Sequence, residues 1–136
     1  YTLNGVSYGN TMNKTFTSNG EVYQRVMRIA AGVRGDVWTD IINFGAADDA
    51  GQADITNYKY FRVTNVDDTN YLELRVTGTA DSFFVKIKAG ETFLLMDNEI
   101  DAVASSTTVG TLTDITQIGA NANTDAIDIE FVCVTA

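Results

Sequence analysis

Histidine and proline are both absent from this 136-residue chain, and cysteine occurs once. Without histidine the commonest general base at neutral pH is missing, and with it Ser-His and Cys-His dyads and most catalytic zinc sites. A single cysteine, Cys133, cannot close an internal disulfide. It alternates with Ile127, Ile129 and Phe131, the position of a small buried hydrophobe rather than a nucleophile. The missing proline leaves edge strands without one of their blunting devices, so charges or partners must protect them. No uncharged apolar run approaches the roughly 18 residues of a membrane helix, so no spanning segment is expected. Basic residues are also scarce, nine against eighteen acids, for a net charge of −9. Such a surface is repelled by phosphate backbones and anionic lipid, so neither nucleic acid nor membrane is expected as a partner.

What is present reads as one all-β domain. The chain is 45% hydrophobic, an ordinary globular value, and is long enough to bury a core without a metal or disulfide. Residues 1–20 are rich in Asn, Thr, Ser and Gly and read as an extended N-terminal arm, with a β-sandwich domain over 21–136. Glu21–Ala31 carries a helix-like stripe of Val22, Val26 and Ile29, but its Val, Ile and Tyr content favours a strand. Val37–Phe44 reads as a second strand and Gly45–Asn57 as a loop. Period-2 alternation then predicts strands over Tyr58–Val66, Tyr71–Thr77, Ser82–Lys88 and Glu91–Met96. A polar loop follows over Asp97–Thr108, then a strand over Val109–Ile118, a turn-rich loop over Gly119–Asp125 and a closing strand over Ile127–Val134. Turn signals recur every 8–12 residues or so, the spacing of a sandwich or barrel. The fold expected is a single antiparallel β-sandwich or jelly roll of about seven to nine strands. Leu72, Leu74, Val76, Phe83, Val85, Ile87, Ile129 and Phe131 are expected in its core.

The acidic clusters are the first candidates for chemistry. Asp67-Asp68-Thr69-Asn70 lies between two alternating runs; Asx side chains bond nearby amides, so it reads as a hairpin turn rather than a calcium loop. Asp97, Glu99 and Asp101 put oxygens at alternate positions, yet lack the glycine and terminal glutamate of a helical calcium loop. Asp128 and Glu130 share the outward face of the last strand, and Asp48-Asp49 sits among small residues with nothing to orient it. No catalytic residue, metal site or cofactor is expected. The aromatics Tyr58, Tyr60, Tyr71 and Phe84 fall opposite the apolar sets, where they could stack on sugars, anchor a protein, or lie under a further layer. Arg34 and Trp38 are the candidate partner-interface pair by residue type, with Trp38 equally suited to the core.

The stretch "YKYFRVTNVDDTNYLELRVTGTADSFFVKIKAGETFLLMDNE", Tyr58–Glu99, resembles small all-β structural proteins of tailed bacteriophages. The shared pattern is "RVTN-acid-Asp-x-Asn", then "L-x-L-R-V", "F-x-V-K-I" and "AGE-x-F-L-L"; the closing "NTDAIDIEFVCVTA" is similar to the C-terminus of such proteins. The resemblance implies a non-enzymatic virion protein. In its first form this is a capsid cement or decoration protein on the outer surface of the capsid. It would be a homo-oligomer bridging major capsid protein subunits, with an arm that orders on a neighbour. A tail or fibre component is the alternative within that class, and a carbohydrate-binding module the alternative outside it.

Overall fold

The computed structural model describes residues 2–3, 6–7, 20–32, 38–46, 52–79, 82–101 and 108–135. The strands are β1 (Thr2–Leu3), β2 (Val6–Ser7), β3 (Glu21–Ile29), β4 (Thr39–Gly45), β5 (Ala53–Asp54), β6 (Tyr58–Asn65), β7 (Leu72–Gly78), β8 (Ser82–Ile87), β9 (Thr92–Leu95), β10 (Glu99–Ile100), β11 (Thr113–Ala122) and β12 (Ile127–Thr135). A six-stranded sheet runs β5-β4-β11-β7-β8 with β10 beside the start of β11, and a four-stranded sheet runs β3-β12-β6-β9. Among the described residues every strand-to-strand pairing is antiparallel except β4 with β5, and one isolated parallel bridge joins Ala31 and Ala122. The result is a β-sandwich. The arm expected over 1–20 lies outside the described residues, apart from the β1–β2 ladder and Gly20.

Alternation builds the core. Leu72, Leu74 and Val76 of β7 and Ile118 and Ala120 of β11 face Phe61 and Val63 of β6 and Ile127, Ile129, Phe131 and Cys133 of β12, all of them buried. Ile87 is buried too, whereas Phe83 and Val85 only pack against the core, because β8 is the last strand of its sheet. Burying a large apolar side chain contributes roughly 1.5–3 kcal/mol, so this face-to-face layer dominates the stability.

Three expectations from the sequence are corrected. The turn at Asp67–Asn70 is not a hairpin, because it carries the chain from β6 in the four-stranded sheet to β7 in the six-stranded one; the turn at Ala89–Gly90 crosses back in the same way, from β8 to β9. Asn65, fully buried, holds both crossings. Its Nδ2 donates to the carbonyls of Asn70 (2.9 Å) and Ile87 (3.2 Å), and its Oδ1 accepts from the Asp67 amide (3.0 Å). Its backbone pairs with Glu91 and Gly90 at 3.0 Å each. Gly90 has φ 75°, a conformation open to glycine at no steric cost.

The second correction is β11. Gly119–Ala122, expected as loop, is buried strand between β4 and β7. Asn121 accepts from the Gly32 amide through its Oδ1 at 3.0 Å. The third is Tyr58, expected on the outward face. A register shift opposite Val134/Thr135 turns it inward, where its hydroxyl donates to the Leu95 carbonyl (2.8 Å) and its ring meets Phe44 edge-on. Short strands β5 and β10 also occupy segments read as loop.

Candidate partner-binding surfaces

The outer face of the six-stranded sheet carries a network of aromatic and polar side chains. β7 supplies Arg75, β11 Gln117 and Gly119, β4 Asn43 and β8 Phe84, with Trp38 immediately before β4. Gly119 opposes Arg75 on one side and Asp40 on the other. A Cβ there would stand 3.8 Å from the Trp38 Cβ, so the indole lies low across the sheet. Its ring centroid is 5.6 Å from Phe84, and the Arg75 guanidinium sits 4.9 Å above it. Arg75 Nη2 donates to Gln117 Oε1 (2.7 Å), and Gln117 Nε2 donates to Asn43 Oδ1 (3.0 Å). Lys86 lies 3.9 Å over the Tyr71 ring. Cations thus occupy faces of Trp38 and Tyr71, and the side-chain amides engage Arg75 through its Nη2, while its Nε is buried without a partner. Phe84, 63% exposed, projects from this rigid ground as an apolar knob. Trp38 is half-buried within it; Arg34, its expected companion, lies outside the described residues.

The outer face of the four-stranded sheet is apolar between ion pairs. Val22 and Val26 on β3 are 59% and 72% exposed, and Leu94 on β9 is 49% exposed. Half-buried Val132 and Val134 on β12 lie between them. Arg62 pairs with Glu130 at 3.1 Å and Arg28 with Asp128 at 3.5 Å. Exposed pairs of this kind contribute about 1 kcal/mol at most. Asp128 and Glu130 are therefore partners of arginines on adjacent strands.

Between the β3 and β4 edges of the sandwich opens a cleft of about 120 Å³, lined by Tyr23, Arg25, Asp40, Asn43, Ala53 and Phe131. Small-molecule sites generally need about 300 Å³ or more. The Tyr23 hydroxyl donates to Glu21 Oε2 (2.6 Å), which, with desolvation, pushes its pKa up to about 12.

Asp67 is a turn residue. Its Oδ1 accepts from the Asn70 (2.6 Å) and Thr69 (2.8 Å) amides, and these bonds hold its carboxyl below the usual range. Asp97 caps the Glu99 amide (3.2 Å), and Asp101 accepts from the Gly110 amide. Among the described residues no three acids or cysteines gather as a metal site. Asp48 and Asp49 lie outside them. Sequence reasoning missed Asn65, whose polar type gave no sign of burial. It also missed the apolar face of β3, whose signal was the helix-like Val22–Val26–Ile29 stripe: a strand apolar on both faces mimics helical spacing.

No family model matches the chain, and no curated protein or solved structure is significantly similar to it.

Proposed function

We propose that this protein is a structural component of a bacteriophage particle, a cement or decoration protein that bridges major capsid protein subunits on the outer surface of the shell. The observation that carries the reading is the presence of exposed large apolar residues on both outer faces of one sandwich, Phe84 on one side and Val22, Val26 and Leu94 on the other. A block adhesive on opposite sides can hold two neighbours at once, and exposed apolar surface rimmed by polar residues marks protein contact sites. The network around Trp38 favours a protein partner over a glycan: a sugar-stacking platform needs open ring faces, and here Arg75 and Lys86 occupy them. The −9 charge fits a position away from packaged DNA. The resemblance at Tyr58–Glu99 supplies the phage assignment.

A bridging protein binds only the assembled shell, so it raises the shell's stability by mass action without altering isolated subunits. The test is to strip particles of the protein, add it back, and measure DNA retention under heat or osmotic shock. Retention should rise on add-back with the unaltered chain and less with Phe84→Ser or Leu94→Lys, which change one face each. Equal retention with and without the protein, or its recovery only with purified tails, defeats the cement reading and favours a tail component.

A further inference from the structure

The two sheets end on very different edges. β5 is two residues long and β9 four, and β8 carries Lys86 near its end with Lys88 just beyond it, so each is short or guarded by charge. β3 is nine residues long, free of proline, and runs alongside β12 without a register shift from Glu21 to Ile29. Its other side pairs with no strand among the described residues. A long, regular edge of this kind, with Val22 and Val26 exposed along it, is a template for another strand. Its exposed charges are Glu21, Arg25 and Arg28; Arg28 is tied to Asp128 of β12, which leaves Arg25, on the core-side face, as the cation that resembles a guard.

We propose that a second copy of this chain pairs with β3, antiparallel, about a two-fold axis at Gln24, joining two four-stranded sheets into one of eight. The sequence of β3, EVYQRVMRI, is self-complementary about that axis. On the outer face Val22 meets Val26 of the second copy, Gln24 meets Gln24, and Val26 meets Val22. On the core-side face Tyr23 lies opposite Arg25, whose two diagonal neighbours are Glu21 and the Arg25 of the second copy, so the guanidinium gains a ring and a carboxylate against one diagonal like charge. Cross-strand pairs of these types stabilise sheets, whereas like charges placed opposite one another destabilise them. Alternative axes fit less well. An axis at Arg25 sets Arg25 against Arg25, one at Tyr23 sets Val26 against Gly20, and one at Val26 leaves Arg25 opposite Met27 and Gln24 opposite Arg28. Arg25 therefore selects the register instead of blocking the edge. The pairing also closes the isologous geometry that most homodimers use, and it sets Val22 and Val26, the most exposed apolar residues of β3, side by side on an outer face that stays open.

This inference stands independently of the capsid reading, because its test uses the purified chain alone. Sedimentation should give a dimer at high micromolar concentration. Val26→Lys, at a site 72% exposed, should leave circular dichroism unchanged and weaken the dimer by about tenfold or more, since each copy then sets a lysine against Val22. Cysteines placed singly at Tyr23, Gln24, Arg25 and Val26 report the register, since the native Cys133 is fully buried. Gln24→Cys should form the interchain disulfide fastest, because only the residue on the axis faces its own copy. Lys88→Cys serves as the collisional control. A monomer throughout, or a dimer unaffected by Val26→Lys, overturns the proposal. Fastest crosslinking at Tyr23, Arg25 or Val26, or none faster than the control, overturns the register.

Discussion

Removing the Asn65 side chain tests whether the two sheet crossings depend on one buried amide. Asn65→Ala deletes three hydrogen bonds, to Asn70 O, Ile87 O and the Asp67 amide. Each such bond contributes about 1 kcal/mol net, and a buried acceptor left bare costs about 1–3 kcal/mol. The Asn70 and Asp67 groups lie near the surface and recover water, while Ile87 O, under a fully buried site, does not. The expected loss is about 3 kcal/mol. For a domain of this size that lowers Tm by roughly 10 °C. With a urea m-value near 2 kcal/mol/M, it lowers the midpoint by about 1.5 M. Urea titration followed by Trp38 fluorescence and by circular dichroism measures it, with unchanged m confirming a two-state comparison. Asn65→Asp keeps the size but aims a carboxylate at two carbonyl oxygens. It should be the worse variant at neutral pH and recover part of the loss on acidification. A shift below about 1 kcal/mol for Asn65→Ala at constant m refutes the clamp, since it would mean that the three partners find equal bonds without it.

Burial pushes the Cys133 thiol up to about 12 from an ordinary 9.0, and pushes the Tyr58 phenol up as well. A raised folded pKa gives stability that is complete below the unfolded value and lost as pH rises, so the urea midpoint should fall between about pH 9 and 12. A thiol reagent at neutral pH should label Cys133 only at the rate of global unfolding. The glycines should separate: a Cβ at Gly78 meets Thr113 Oγ1 at 3.0 Å and Ile100 Cγ1 at 3.1 Å, whereas at Gly119 nothing lies closer than 3.5 Å. Gly78→Ala is therefore expected to cost about 1–3 kcal/mol and Gly119→Ala under about 1 kcal/mol by the same titration. Adding a chelator should leave Tm unchanged; a large drop would make ligands of Asp97, Glu99 and Asp101.

Period-2 alternation was enough to place most of the strands and their inward residues, because burial on one face imposes it whatever the partner strand is. Leu72, Leu74, Val76, Ile129 and Phe131 were legible for that reason, as was Cys133. So was the Asp67 turn, since an Asx side chain bonds amides two and three residues on and needs no distant group. Which strands pair was not legible. A turn between two alternating runs looks the same whether the chain folds back within one sheet or crosses to the other, and only the closed core decides that β6 and β7 face each other across it. The burial of Asn65, the inward turn of Tyr58 and the strand character of Gly119–Ala122 were likewise hidden, because each depends on what the neighbouring strands bring to it. The surfaces divide the same way. The residue types that make Trp38 and Arg75 fit to touch a partner are written in the chain. The ring contact between them, the open knob at Phe84 and an edge of β3 that pairs with no strand among the described residues exist only once both sheets are assembled.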